Sequence, residues 1–153
     1  MSSGARPARS RLQVWRSFLH VHARIVAELE RELAAERQLP LAWYGVLAEL
    51  ADAGGRLRMQ DLGARLVVPR SSLSRLVDRM EADDLVVREP SDVDGRGVDA
   101  VITAGGRTVL RRALPVHRRG IEEHFASKLD GTDVAALKRA LAKLDRPAPD
   151  DEG

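Results

Sequence analysis

RLRMQDLGARLVVPRSSLSRLVDRMEADDLVVREPSDVDGRGVDAVIT, residues 56–103, is the stretch that decides the fold of this chain. Its punctuation predicts a short helix from Met59 to Leu66, a turn at Val68-Pro69, a second helix from Arg70 to Asp83, and then a hairpin. The hairpin strands are Leu85 to Glu89 and Val98 to Ile102, with residues 91–97 as the loop. In the second helix Leu73, Leu76, Val77 and Met80 fall at i, i+3, i+4 and i+7, so they form one buried stripe. Ser71, Ser74, Arg75, Asp78 and Arg79 then face outward, and hydroxyls and guanidinia are the groups that base edges and phosphates accept. A helix pair followed by a basic hairpin is a winged helix-turn-helix. The fold class expected is therefore mainly α with a small β-hairpin wing.

Outward from this stretch, the chain of 153 residues is long enough to bury a sizeable core. The formal charge is only +2, yet the isoelectric point is about 9.5, because the positive side is almost all arginine. A nucleotide-composition bias accounts for arginine in bulk; placement is more informative. Arg56, Arg58, Arg65, Arg70, Arg75 and Arg79 crowd one segment against Asp61 and Asp78. A basic patch on a nearly neutral protein suits a phosphate-facing surface. No cysteine is present, which excludes disulfides and cysteine-based zinc sites. No apolar run reaches the roughly 20 residues that span a bilayer, and the start lacks a signal-peptide core. The expectation is a soluble, cytoplasmic protein with no membrane partner.

Residues 1–9 and 146–153 are polar and are expected to be disordered. From Ser10 to Glu36, Leu12, Trp15, Leu19, His22, Val26, Leu29 and Leu33 repeat at 3-4 spacing and predict a long helix with a seam. Pro40 ends the link, Leu41 to Ala53 forms a second helix, and Gly54-Gly55 stops it. Arg56-Leu57-Arg58 reads as a short strand added to the hairpin. Thr103 is the N-cap of a helix running towards Leu129, with two glycines weakening its start and Pro115 kinking it. A last helix begins near Thr132-Asp133, with Val134, Leu137, Leu141 and Leu144 on one side. Residues 40–103 thus make the winged domain, and 10–39 with 104–145 make a helical region whose apolar faces exceed what that small domain can cover. A two-fold partner whose terminal helices interlock with these resolves the excess; a monomeric bundle is the competing arrangement.

Leu76-Val77-Asp78-Arg79-Met80-Glu81, Leu85-Val86 and Arg88, then Asp94-Gly95-Arg96-Gly97-Val98 and Ile102-Thr103 with Gly106, resemble the MarR family of bacterial transcription regulators. The resemblance extends from about Ser10 to Leu144. It implies a homodimer that binds a pseudo-palindromic operator in double-stranded DNA, often as a repressor, and that is often released by a small aromatic or phenolic ligand. It also implies that the second helix of the pair enters the major groove, which assigns Arg70, Ser71, Ser72, Ser74, Arg75 and Arg79 to DNA. Arg75 is the best base reader, since its planar fork matches guanine O6 and N7. Arg96 resembles the wing arginine that reaches a minor groove. Asp94 would be repelled by phosphate, so its task is to brace the wing through Arg79 or Arg88, unless it is an ordinary turn residue. Gly95 and Gly97 permit the tight hairpin tip. Arg88 is open between a DNA contact and a structural ion pair.

Trp15, Leu19 and His22 share one helix face, and Trp43, Tyr44 and Leu47 lie on the next helix. They are read either as plain core and dimer interface, or as the walls of a pocket for a small aromatic or anionic effector. His20 and His22 face different ways, and His117 and His124 sit about two turns apart, so no metal site and no cofactor are expected. Nor is there a catalytic signature. The rival functional reading is a winged-helix module that docks protein instead of DNA.

Overall fold

The computed structural model describes residues 9–66, 68–91 and 96–145. The order is α1 (Arg9–Arg37), α2 (Leu41–Asp52), β1 (Arg56–Arg58), α3 (Met59–Leu66), α4 (Arg70–Ala82), β2 (Val86–Pro90), β3 (Val98–Ile102), α5 (Ala104–His124), a 3-10 turn (Ala126–Lys128) and α6 (Gly131–Leu144). The terminal segments expected to be disordered, apart from Arg9, lie outside the described residues, as do Asp94 and Gly95.

The winged lobe grows from two tightly closed helix ends. At the end of α2, Gly54 and Gly55 take φ of 83° and 104°, and the Gly55 amide donates to the Leu50 carbonyl. At the end of α4 the same closure is made with Asp84 at φ 55°: the Leu85 amide donates to Met80 O and the Asp84 amide to Glu81 O. These are Schellman closures, in which a left-handed residue satisfies carbonyls the helix would otherwise leave orphaned. Each reverses the chain directly into the sheet. The three strands run antiparallel in the order β1-β3-β2, with Arg56 opposite Val101 and Arg88 opposite Ala100. Beneath the sheet, Val46, Leu47 and Leu50 of α2, Leu62 of α3 and Leu73, Val77 and Met80 of α4 form one core with Val86, Ala100 and Ile102.

β2 starts and ends one residue later than its expected span. A larger departure concerns α5, which stops at His124 instead of running towards Leu129. Phe125 leaves the helical region at φ −132° and a 3-10 turn follows. The apolar series Ile121, Phe125, Leu129 keeps helical spacing across the break, so periodicity could not see it. Pro115 lies inside a continuous α5. α6 starts at Gly131, a residue or two earlier than expected, and is capped by a reciprocal box in which Asp130 and Asp133 accept each other's backbone N–H.

Thr103 does cap α5: its Oγ1 accepts from Gly106 N at 2.9 Å and donates to Asp84 O at 2.6 Å. The two glycines after it are explained by packing. A Cβ on Gly106 would lie 2.2 Å from the Leu85 carbonyl oxygen and 2.9 Å from Ile102. Only glycine lets α5 start this close to the sheet, which outweighs its poor helix propensity.

A second, smaller core (Leu33, Leu39, Tyr44, Ala113 and Val116) joins the C-terminal end of α1 to α2 and α5. Arg37 Nε adds a bond to Arg112 O at 2.8 Å, and Glu30 Oε2 accepts from the first amide of α2. Beyond this core α1 projects with little cover. Leu12, Val14, Trp15, Phe18, Leu19 and Val21 are exposed, and α6 has no buried residue at all.

Candidate nucleic-acid interface

Helix α4 divides along its length as the pattern dictates. Leu73, Leu76, Val77 and Met80 are buried, while Arg70, Ser71, Ser72, Ser74, Arg75 and Arg79 are exposed. Pro69 precedes α4 without any side-chain cap. The first intrahelical bond is made by Leu73 N to Pro69 O, so the amides of Arg70, Ser71 and Ser72 have no acceptor inside the helix. Such an end attracts anions, through the free N–H groups and the helix dipole together.

Between this helix end, the start of α3 and the wing lies an open cleft of about 400 Å³. Arg58, Arg70, Arg88 and Arg96 line it, with Gln60, Ser74 and Gly97. The cleft merges the helix face and the wing into one cationic surface. Arg58 was read in the sequence only as one arginine of the basic segment, and Gln60 was not singled out at all. Arg58 ends β1 and Gln60 lies in the first turn of α3, and the pairing of β1 with β3 carries them to the wing.

Arg88 sits in the wall of this cleft with its guanidinium already engaged. Its Nη1 lies 2.8 Å from Asp78 Oδ1 and also meets Glu81 Oε2, and its Nη2 donates to Ser74 O at 2.9 Å. Its own backbone amide donates to Glu81 Oε1 at 2.7 Å. Three groups of α4 are thereby tied to strand β2, which is the structural alternative the sequence left open. Asp94, proposed as the brace, lies outside the described residues, and the described partners of Arg88 are Ser74, Asp78 and Glu81. A second tie crosses the sheet, where Arg56 pairs with Glu89 and lies 3.6 Å from Asp99.

The structure does not gather Trp15, Leu19, His22, Trp43, Tyr44 and Leu47 into one wall. Tyr44 is buried beside Leu33, and Leu47 belongs to the sheet core. Trp15 lies 18 residues before Leu33 on the same helix, about 27 Å away at 1.5 Å per residue. Trp15, Leu19 and His22 are exposed instead. Tyr44 packs on His117, with ring centroids 4.1 Å apart. Burial holds the His117 imidazole below its ordinary pKa and pushes the Tyr44 phenol above its own.

Histidine spacing alone, which pointed to no metal site, left one histidine–carboxylate cluster out of view. Glu28, Glu32 and His124 converge between α1 and the end of α5. The two segments lie 92 residues apart in sequence, so local spacing carried no sign of it.

Fold and cleft together define a winged helix-turn-helix protein with long terminal helices. The MarR family model matches residues 37–97. The crystal structure of AbsC, a MarR family transcriptional regulator from Streptomyces coelicolor, superimposes with a TM-score of 0.84 at 31% identity, covering 91% of this chain and 94% of that one. Sco3205, a MarR family transcriptional regulator from the same organism solved in complex with DNA, gives a TM-score of 0.81 at 30% identity over 95% of this chain and 97% of that one. The HTH-type transcriptional regulator YkoM of Bacillus subtilis is 30% identical over 78 residues, and that match spans about half of each protein (51% of both). The chain belongs to the MarR family of transcriptional regulators. Among the described residues no helix is long and apolar enough to cross a membrane.

Proposed function

We propose that this regulator acts as a homodimer on a pseudo-palindromic site in double-stranded DNA, as a cytoplasmic repressor. The observation that carries the reading is the continuity of the exposed α4 face with the arginine-lined cleft. In this reading α4 enters the major groove, Arg75 reads a base edge, and the free amides at the start of α4 hold a phosphate. Arg96 follows the wing to the adjacent minor groove, while Arg58 and Arg70 neutralise the backbone between the two. Sco3205, in complex with DNA, supports the same use of this fold.

The dimer is supported by the apolar faces that a single chain leaves bare. Val14, Phe18 and Val21 of α1, Phe125 after α5, and Leu137 and Leu141 of α6 line one apolar groove of about 550 Å³. Apolar surface of this extent marks an interaction site on a soluble protein. A two-fold partner would cover it and would set two α4 helices about 34–36 Å apart, one turn of duplex. A small aromatic or anionic effector would act by shifting that separation, and only by as much as it prefers one arrangement.

Binding of the duplex upstream of the adjacent gene, followed by fluorescence anisotropy through a salt series, tests the reading. With about four phosphates neutralised per subunit, log K against log[salt] should slope near −7. Equal affinity for that duplex and a random one, or no binding at low salt, would point to a protein-docking module.

A further inference from the structure

We propose that Glu28, Glu32 and His124 form a divalent transition-metal site, of the zinc class, that clamps α1 to the end of α5. One ligand atom from each of the three lies within 4.8 Å of the others. Glu28 and Glu32 are one helical turn apart on the same face of α1, and His124 is the last residue of α5. The imidazole Nε2 sits 2.6 Å from Glu32 Oε1.

The second oxygen of that carboxylate makes the case. Glu32 Oε2 is out of contact with solvent and has no hydrogen-bond partner among the described residues. The Glu32 and His124 side chains are only 14% and 15% exposed. A buried carboxylate oxygen left unmatched is costly, and one imidazole cannot satisfy two carboxylates. The carboxylate is also built in: a Cβ on Gly120 would stand 2.6 Å from Glu32 Oε2, so glycine at that position of α5 is what gives it room.

Imidazole with two carboxylates is the donor set of intermediate divalent ions, and three protein ligands leave a fourth position for water. At metal–ligand distances of about 2.0–2.1 Å the donor atoms stand roughly 3.3 Å apart. The ion therefore parts the His124–Glu32 pair slightly and draws Glu28 inward. Glu28 is at present held by Arg31, whose Nη2 lies 2.6 Å from Glu28 Oε2 and keeps that carboxyl below its usual pKa. Arg31 is 67% exposed and can swing away. Its charge opposes the ion, which gives the site a built-in competitor.

The test is titration of the chelator-stripped full chain with Zn²⁺ against a chromophoric competitor, alongside thermal unfolding. One equivalent should bind per chain and raise the unfolding midpoint, with Mg²⁺ and Ca²⁺ giving no such rise. Glu32→Gln and His124→Gln should each weaken zinc at least about 10-fold. Glu28→Gln, at a more exposed position, should do the same with unchanged helical circular dichroism, so a fold defect in the first two does not decide the outcome. Arg31→Ala should tighten binding, which a purely structural ion-pair cluster would not do. His20→Gln and His22→Gln, at exposed histidines of α1, should leave the affinity as it was. Failure to bind zinc, binding that persists in Glu28→Gln, or binding removed by His22→Gln alone overturns the proposal. None of these readouts involves DNA.

Discussion

Arg88→Met separates a wing tether from a phosphate contact. Methionine keeps much of the aliphatic stem while removing the guanidinium that ties β2 to α4. Three partners are lost: Ser74 O at 2.9 Å, Asp78 at 2.8 Å, and Glu81. Bonds to charged groups contribute about 1.5–3 kcal/mol when buried, and exposed pairs about 0–1 kcal/mol. Arg88 and Glu81 are 23% and 32% exposed and Asp78 is 62% exposed, so the discount is heavy. About 1–2 kcal/mol is the resulting stability loss, most of it from Ser74 O and Glu81, read as a lower urea midpoint at constant m-value. If the wing loses its seat on α4 by that amount, operator affinity falls by about 5–30-fold. The salt slope decides the role. A tether leaves it nearly unchanged, whereas each lost phosphate contact lowers its magnitude by about 0.9. Arg96→Met should show that drop in slope. An unchanged urea midpoint together with a slope reduced by about 0.9 in Arg88→Met would refute the tether and return Arg88 to the DNA-contacting set.

Gly106→Ala should destabilise the fold by about 1–3 kcal/mol in chemical denaturation, despite alanine's better helix propensity, because the added Cβ meets a backbone oxygen. Gly131→Ala has nothing within 4 Å and should be neutral or slightly stabilising, so equal behaviour of the two variants would contradict the packing account. Leu141→Asp, in the bare groove, should shift the protein to monomer in sedimentation velocity while preserving its helical content; an unchanged sedimentation coefficient would remove that groove from the dimer. His117 titrates below its unfolded pKa, so the folded state binds fewer protons than the unfolded state in that window. Its contribution is fully present above pH about 6.5 and declines as pH falls towards the folded pKa. His117→Gln should therefore flatten the acid side of the plot of thermal midpoint against pH.

The winged lobe was legible because its signals are local. The stripe Leu73, Leu76, Val77, Met80, the breaker Val68-Pro69 and the glycines at 54 and 55 each act within a turn or two of chain. Arg56 to Arg58 was legible as a strand for the same reason. What escaped depends on contacts far apart in sequence. The glycine at 106 looked like a weakness until Leu85 O was seen beside it, and nothing in the spacing of Glu28 and Glu32 foretold that α5 would bring His124 to them. The spread of the candidate effector residues within one chain was hidden for a different reason. Shared heptad position says nothing of distance along a helix as long as α1, and the aromatic residues there lie too far from Tyr44 to meet it.

Thr103 is the only residue between the last residue of β3 and the first of α5, and both of its hydroxyl bonds are spent at that joint. With no slack there, α5 must turn with the sheet as a rigid arm. At 21 residues it is about 31 Å long. A 10° rocking of the wing would thus sweep the His124 end through roughly 5 Å by the same geometry, a gearing of small angles into large displacements.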